Sequence, residues 1–324
     1  MKILVTGGAG YIGSHTAKEL AQAGHSPVVL DNLSRGHAQN VKWGPLVKCR
    51  CGDEQKVYEA LLAHEIEAVV HFAAFAYVGE SVQQPRLYFE NNVVETLHLL
   101  NAMNRARVSR IVFSSTCATY GDAKLVPIDE SHPQQPVSPY GESKLFVEKM
   151  LAALGDAEAL QWVALRYFNA SGADPDGELG EDHDPEPHLI PRAILNVLGK
   201  ANLKVFGTDY PTPDGTAVRD YIHVKDLASA HLKSVQYLTD GGLSLAMNLG
   251  TGKGTSVMEV LRAIEKCSGR KTSAVMAPRR EGDPPERVAD PALARSVLDW
   301  GCRYSELDTI VGTAWRWHTQ DARV

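Results

Sequence analysis

Several things are scarce in this sequence, and each scarcity removes a class of protein. Cysteine is rare and odd in number, five in 324 residues, scattered as Cys49, Cys51, Cys117, Cys267 and Cys302. That excludes a disulfide scaffold, and Cys49-x-Cys51 has neither redox spacing nor a second pair with which to hold zinc. The thiols are read as reduced, as expected of a cytoplasmic chain. No apolar run approaches the roughly 18 residues of a membrane span. The opening apolar quartet after Lys2 runs into a glycine-rich turn, with no signal-peptide cleavage region. Lys and Arg number 33 against 39 Asp and Glu, a net charge of −6, and no basic run stands above the background. Nucleic acid and acidic membrane are therefore not expected as partners. Repeats and low-complexity tracts are missing as well.

What is present is the composition of a packed protein, 44% hydrophobic and 22% charged. The length exceeds the usual domain of about 100–200 residues, so two interlocked units are expected. Short runs rich in β-branched residues at Ile3–Val5, Val28–Leu30, Ala68–Phe72, Ile111–Phe113 and Val163–Leu165 alternate with helix-forming segments. This rhythm predicts an α/β fold with a doubly wound parallel sheet. Gly24 stands where the first helix should stop, and Ser138-Pro139 reads as cap and first residue of a helix over Tyr140–Leu154. After Tyr167 the texture changes, because Asn169–His188 is acidic and rich in Gly and Pro, and Tyr210–Gly215 is a second turn cluster. Further helices are expected at Leu189–Leu198, Val224–Tyr237, Val257–Cys267 and Pro291–Asp299.

The first strand leads into Gly7-Gly8-Ala9-Gly10-Tyr11-Ile12-Gly13, after which a helix opens. Such a turn needs positive φ and close backbone approach, and the helix N-terminus behind it offers free N–H groups to a pyrophosphate. Asp31 ends the next strand about 20 residues on, where a carboxylate accepts hydrogen bonds from the adenosine ribose and repels a 2′-phosphate. NAD is expected rather than NADP. The unit over 1–168 thus reads as a dinucleotide-binding Rossmann domain. Residues 169–324 read as a smaller, interleaved α/β substrate domain with segments that return to the first. Asp53 is a candidate adenine contact, with a plain loop carboxylate as the alternative.

A second constellation is Tyr140-Gly141-Glu142-Ser143-Lys144, with Ser114-Ser115-Thr116 upstream at a strand end. Tyr140 and Lys144 stand i and i+4 on one helix face, where an ammonium lowers a phenol's pKa from about 10 and prepares it as an acid/base.

With these motifs in place, the chain resembles the extended short-chain dehydrogenase/reductases, and within them the UDP-glucose 4-epimerase family. The stretches ILVTGGAGYIGSHT, HFAAFAYVGESV, SSTCATYG, SPYGESK, LRYFNASGADPDGELGE, GTDYPTPDGTAVRDYIHVKDLA and APRREGD carry the likeness nearly end to end. The resemblance implies an isomerase that oxidises a UDP-sugar at C4 with a retained NAD, lets the 4-keto sugar turn, and returns hydride to the other face. It places catalysis on Tyr140, Lys144 and Thr116. It places the cofactor on Gly7, Gly10, Tyr11, Ile12, Gly13, Asp31, Asn32, Asp53, Phe72, Ala73, Asn91, Ser114, Tyr140, Lys144 and Phe168. Substrate contacts implied are Thr116, Tyr140, Asn169, His188, Leu189, Lys204, Phe206, Arg219, Arg280 and Asp283. A homodimer is implied through the helices at Asn92–Met103 and Tyr140–Leu154.

Three positions depart from the family's best-known bacterial pattern. Ala76 stands for a cofactor-contacting Lys, His188 for an Asn, and Arg287 for the residue regarded as a gate on sugar size. UDP-glucose and UDP-galactose are the first expectation, with UDP-xylose/UDP-arabinose and UDP-N-acetylhexosamine as alternatives. A 4,6-dehydratase needs carboxylates where Cys117 and Ala118 stand, and a non-enzymatic NAD sensor has no need of Tyr140, Lys144 and the arginines. No metal is expected: Glu181-Asp182-His183-Asp184, with Glu186 and His188, is read as a flexible acidic loop. His71 and His223 are read as structural.

Overall fold

The computed structural model describes residues 1–280 and 283–320. The first half alternates β1 (Lys2–Thr6), α1 (Tyr11–Gln22), β2 (Ser26–Asp31), β3 (Leu46–Lys48), α2 (Glu54–Ala63) and β4 (Ala68–His71). It continues through α3 (Val78–Gln83), α4 (Pro85–Phe89), α5 (Glu95–Ala106), β5 (Arg110–Thr116), α6 (Pro139–Glu158) and β6 (Gln161–Tyr167). Then follow β7 (Asn169–Ser171), α7 (Leu189–Val197), β8 (Leu203–Phe206), β9 (Val218–Arg219), β10 (Tyr221–His223), α8 (Val224–Thr239) and β11 (Leu245–Leu249). The chain closes on β12 (Thr255–Ser256), α9 (Val257–Ser268), β13 (Ala274–Ala277), β14 (Glu286–Arg287), α10 (Ala292–Leu298) and α11 (Leu307–Gln320).

Among the described residues the main sheet has the order β11-β6-β5-β4-β1-β2-β3, parallel throughout. Both of its faces are covered by helices, and the period-2 alternation of a strand then requires nearly every strand residue to be apolar. Leu4, Val28, Val69 and Ile111 bury against α2, α5 and α6, while Ile3, Val5, Val70, Val112 and Leu165 bury on the opposite side with Leu227 and Ala230 of α8. The order reverses between β1 and β4, which opens a crevice at the strands' carboxyl ends. β11 comes from the second half and pairs with β6, so the later chain does return to the sheet. A further core joins Ile190 and Ile194 of α7, Leu203 of β8, Val260 and Ile264 of α9, and Ile310 and Val311 of α11. No helix among the described residues is long and apolar enough to cross a membrane.

Local punctuation falls where the residues demand it. Ser138 caps α6 by accepting from Gly141 N–H, with Pro139 in the first helical turn. Gly24 takes φ +83 just past α1. The helix expected from Asn92 instead opens with a π-helical stretch at Glu90–Val94 before α5. Asn92 explains it: its amide ties the Phe75 backbone at 2.8 and 3.0 Å and donates to Ser143 Oγ at 3.0 Å, drawing the helix toward α6.

His71 bridges Thr6 and Thr96 hydroxyls at 2.6 and 2.9 Å, and His223 caps α8 while meeting Thr313, so both are structural. With His15 and His231 they make four buried imidazoles. Burial lowers His71 and His223 to about 3, and His15 and His231 to about 4. The unfolded chain protonates these rings below about 6.5 while the folded one does not. The contribution of these four rings to stability is therefore complete above that pH and falls as pH drops toward 4, each ring removing up to about 1.4 kcal/mol per unit. We expect the melting temperature to fall by roughly 10 °C between pH 7 and pH 5. His231→Leu, which removes a ring with an unpartnered buried Nε2, should flatten the profile. A flat profile in the parent protein would show that the folded chain accommodates these rings in charged form.

Candidate active site

β1 delivers the chain into the glycine turn at the crevice. Gly7 has φ +68, and a Cβ there would lie 2.6 Å from Ala73 N; a Cβ on Gly13 would lie 2.3 Å from the Gly7 carbonyl oxygen. Gly10 N–H closes the turn on that oxygen at 3.1 Å. No side chain caps α1, which leaves the first-turn N–H groups of Tyr11, Ile12 and Gly13 and the positive end of the helix dipole for an anion. The Tyr11 side chain is engaged elsewhere, donating to Gly172 O at 2.6 Å. Asp31 ends β2 with its carboxylate accepting from Ala9 N–H at 3.0 Å and Leu33 N–H at 2.8 Å. Burial raises its pKa and those two donors oppose the rise. Lone pairs remain for a ribose diol, so cradle, helix end and carboxylate together fit a dinucleotide. Gly13→Ala is expected to yield folded protein without NAD, checked by chromatography of the denatured supernatant; retention of stoichiometric NAD would count against the cradle.

Other cofactor candidates follow the same edge. Phe72 and Ala73 continue from β4, with Phe72 N–H on Thr6 O at 2.9 Å. Asn32 and Asn91 line one cavity of about 290 Å³ with Ser34, Arg50, Phe75, Leu87 and Glu90. Asp53 caps α2 through Lys56 N–H and pairs with Lys56 Nζ at 2.8 Å. Phe168 is buried against Cys117, Tyr120, Ile128 and Ala289.

Thr116 stands at the end of β5 and accepts from Ala118 N–H at 3.1 Å. Tyr140 and Lys144, on α6, are both buried. Lys144 Nζ donates to Ser114 O at 2.7 Å, while Ser114 Oγ pairs with Tyr167 OH at 2.6 Å. The i,i+4 spacing predicts a phenol lowered by the ammonium, and the chain by itself differs. Burial, reinforced by Tyr167, pushes Tyr140 well above its ordinary value, against the effect of Thr116. Burial also lowers Lys144 to about 7, against Glu148. Two groups desolvated together lose charge before they can stabilise it in each other.

On the far side of the crevice, Arg219 pairs with Asp283, and Tyr210 OH donates to Asp283 O at 3.3 Å. The Arg280 guanidinium lies 4.0 Å from the Phe206 ring centroid, and Asn169 donates to Asp220 O at 2.9 Å. These residues form a two-arginine platform with a carboxylate and an aromatic face, which suits a nucleoside diphosphate. Arg219 and Arg287 are register neighbours on β9 and β14, and both guanidiniums act on the Cys117 thiol, next to Thr116. Lys204 is exposed on β8 and Leu189 opens α7. His188 turns its Nδ1 to Glu181 and Glu186 at 2.6 and 3.0 Å. Burial works against its charge, yet these carboxylates hold it at about 10.

Sequence reasoning missed the support beneath α6. Glu148 takes Arg166 in a buried fork and accepts from Ser115 Oγ, while Arg166 Nη1 donates to Tyr120 OH at 2.9 Å. The signal was available: Glu148 is i+4 from Lys144 on a face that must be buried.

The sequence profile of the NAD dependent epimerase/dehydratase family matches residues 3–250. A UDP-glucose 4-epimerase of Rhizobium meliloti (strain 1021) is 53% identical over 319 residues, 98% of this chain and 97% of that one. The structure of a UDP-glucose 4-epimerase from Brucella ovis in complex with NAD superposes with a TM-score of 0.96 at 53% identity, covering 97% of each chain. A UDP-glucose-4-epimerase from Stenotrophomonas maltophila with bound NAD and formylated UDP-arabinopyranose gives 0.97 at 40% identity, over 100% of this chain and 99% of that one.

Proposed function

The chain belongs to the NAD dependent epimerase/dehydratase family, and from that membership we propose that it inverts C4 of a UDP-sugar, UDP-glucose and UDP-galactose first. The observation that carries the reading is the buried Tyr140 phenol gathered with Thr116 and Lys144 beside an uncapped, glycine-cradled helix end. NAD, when bound, supplies the hydride acceptor and a positive charge beside the phenol.

The protein's own residues do the rest. Tyr140, coupled through the Thr116 hydroxyl, takes the O4 proton as C4 loses hydride, and gives it back when hydride returns to the opposite face. No external oxidant is consumed. Lys144, anchored on Ser114 O, presents its remaining N–H groups to the nicotinamide ribose. Arg219, Arg280, Asn169 and Asp283 hold the UDP moiety, so that most binding energy falls on the part that does not turn. Gly7, Gly10, Tyr11, Ile12, Gly13, Asp31, Asn32, Asn91, Phe72, Ala73, Ser114 and Phe168 are proposed to line the dinucleotide, with His188, Leu189, Lys204 and Phe206 around the substrate. The division at residue 168 into a cofactor unit and a mainly substrate-binding unit is part of the same proposal.

A pentose substrate is the second reading, favoured by Arg287. Its Nη2 donates to Gly121 O at 3.0 Å and its charge acts on the Cys117 thiol next to Thr116, so a bulky guanidinium stands where the family resemblance puts the gate on sugar size. The test is proton NMR of the anomeric region after incubation with UDP-galactose and no added cofactor. Growth of UDP-glucose supports the first reading. Inertness toward it with turnover of UDP-xylose supports the second, and inertness toward UDP-galactose, UDP-xylose and UDP-N-acetylglucosamine by folded, NAD-bearing protein would overturn both.

A homodimer is proposed through α5 and α6. Val94 just before the first helix, Leu97 on it and Phe146 on the second are 43–47% exposed, and Phe146 meets Phe89 edge-on at 6.1 Å. Light scattering should give twice the chain mass, and Phe146→Asp should give the monomer; a monomeric parent protein would refute the pairing.

A further inference from the structure

The composition of the loop before α7 reads as a solvated acidic stretch, and the fold places its side chains otherwise. Glu181, His183, Glu186 and His188 converge so that one ligand-capable atom of each lies within 4.8 Å of all the others. The Glu181 and Glu186 side chains are only 4% and 8% exposed. His188 Nδ1 lies 2.6 Å from Glu181 Oε1 and 3.0 Å from Glu186 Oε1. His183 Nδ1 lies 3.2 Å from Glu181 Oε1 and 3.6 Å from Glu186 Oε2.

Two buried carboxylates within 4.8 Å of each other call for two positive charges. Two protons on the imidazoles supply them, and so does one divalent cation. The His183 nitrogen separates the cases. Its Nδ1 is buried and makes no hydrogen bond, although a carboxylate oxygen is near enough for one. Distance is satisfied and hydrogen-bond direction is not, and the same nitrogen has an oxygen of each glutamate at 3.2 and 3.6 Å, an arrangement that one shared cation serves better than a bond to one acceptor. Metal bonds of about 2.0–2.1 Å in a tetrahedron put neighbouring ligand atoms roughly 3.3 Å apart, within the 2.6–3.6 Å range of the nitrogen–oxygen spacings found here.

We propose that Glu181, His183, Glu186 and His188 bind one divalent first-row transition-metal ion, zinc foremost, in a four-coordinate N2O2 site supplied wholly by this loop. Two imidazoles disfavour magnesium and calcium, and the lack of thiolate disfavours copper(I). The ion has no part in the hydride chemistry. It braces the loop, which is also held by Trp317 Nε1 on Glu181 O at 3.1 Å, against Tyr11 and Tyr77, whose rings meet His183 edge-on at 6.2 and 5.8 Å. In that way it ties the approach to α7 to the first residue of α1.

The test uses the full-length, NAD-bearing protein without an affinity tag. Elemental analysis after dialysis should find about one equivalent of zinc or a neighbouring divalent metal per chain. Replacement by cobalt(II) should give the intense visible bands of a tetrahedral site. His183→Ala, and Glu186→Gln as a second variant in case the first does not fold, should lose the metal and those bands while circular dichroism stays native. Folded protein that carries no metal as purified and takes up neither zinc nor cobalt would overturn the proposal, and so would equal uptake by parent and folded variants.

Discussion

Tyr140→Phe is expected to lower kcat by about a thousandfold while the protein stays folded and keeps its NAD. The phenol oxygen is the group here placed to take the O4 proton, and Phe preserves the ring that packs edge-on against Tyr88 at 6.4 Å. The variant therefore removes proton transfer and little else. KM for the UDP-sugar should change by less than a few fold, because the uridine diphosphate platform of Arg219, Arg280 and Asp283 lies on the other side of the crevice. Single-turnover reduction of the retained NAD, followed by its absorbance, should slow by the same factor as kcat. Retention of more than a tenth of the parent kcat would remove this phenol from the mechanism.

In the chain by itself Tyr140 is driven up and Lys144 down, both by burial. Helical spacing brings the two groups to one face but does not charge them. The base form requires the positive charge that arrives with the oxidised cofactor.

The largest loss of stability should come from Glu148→Ala. Glu148 and Arg166 are 6% and 8% exposed at the side chain, and the pair is joined through Arg166 Nε and Nη2, with Ser115 and Gln134 completing the carboxylate's partners. Removing the acid strands a buried guanidinium, a cost of about 3–5 kcal/mol. The melting temperature should fall by roughly 10 °C or more. Pairing it with Arg166→Met should recover much of the loss, since the penalty belongs to the unpaired charge. A single variant melting within about 2 °C of the parent would show that water or another acid satisfies Arg166.

The strands at Ile3–Val5, Val28–Leu30, Ile111–Phe113 and Val163–Leu165 are legible in the sequence because a sheet covered on both faces must be apolar at every position, and each extends by one to three residues at its ends. β3 and β11 give no such signal, being short or half-buried at the sheet's two edges. Ser138, Pro139 and Gly24 are readable because capping is local chemistry. Asp53 reads toward adenine and also caps α2, because an N-cap and a ligand contact ask for the same residue type.

By itself the sequence determined the parallel α/β sheet, the glycine cradle with Asp31, and the Tyr140–Lys144 face, since each follows from periodicity or from spacing of a few residues along one element. Only the tertiary structure decided that Arg219 meets Asp283, that Glu148 holds Arg166, that burial outweighs the ammonium at Tyr140, and that two glutamates and two histidines come within 4.8 Å of one another. Those are contacts between distant segments or consequences of desolvation. Both depend on what surrounds a side chain in three dimensions, which no local pattern of residues encodes.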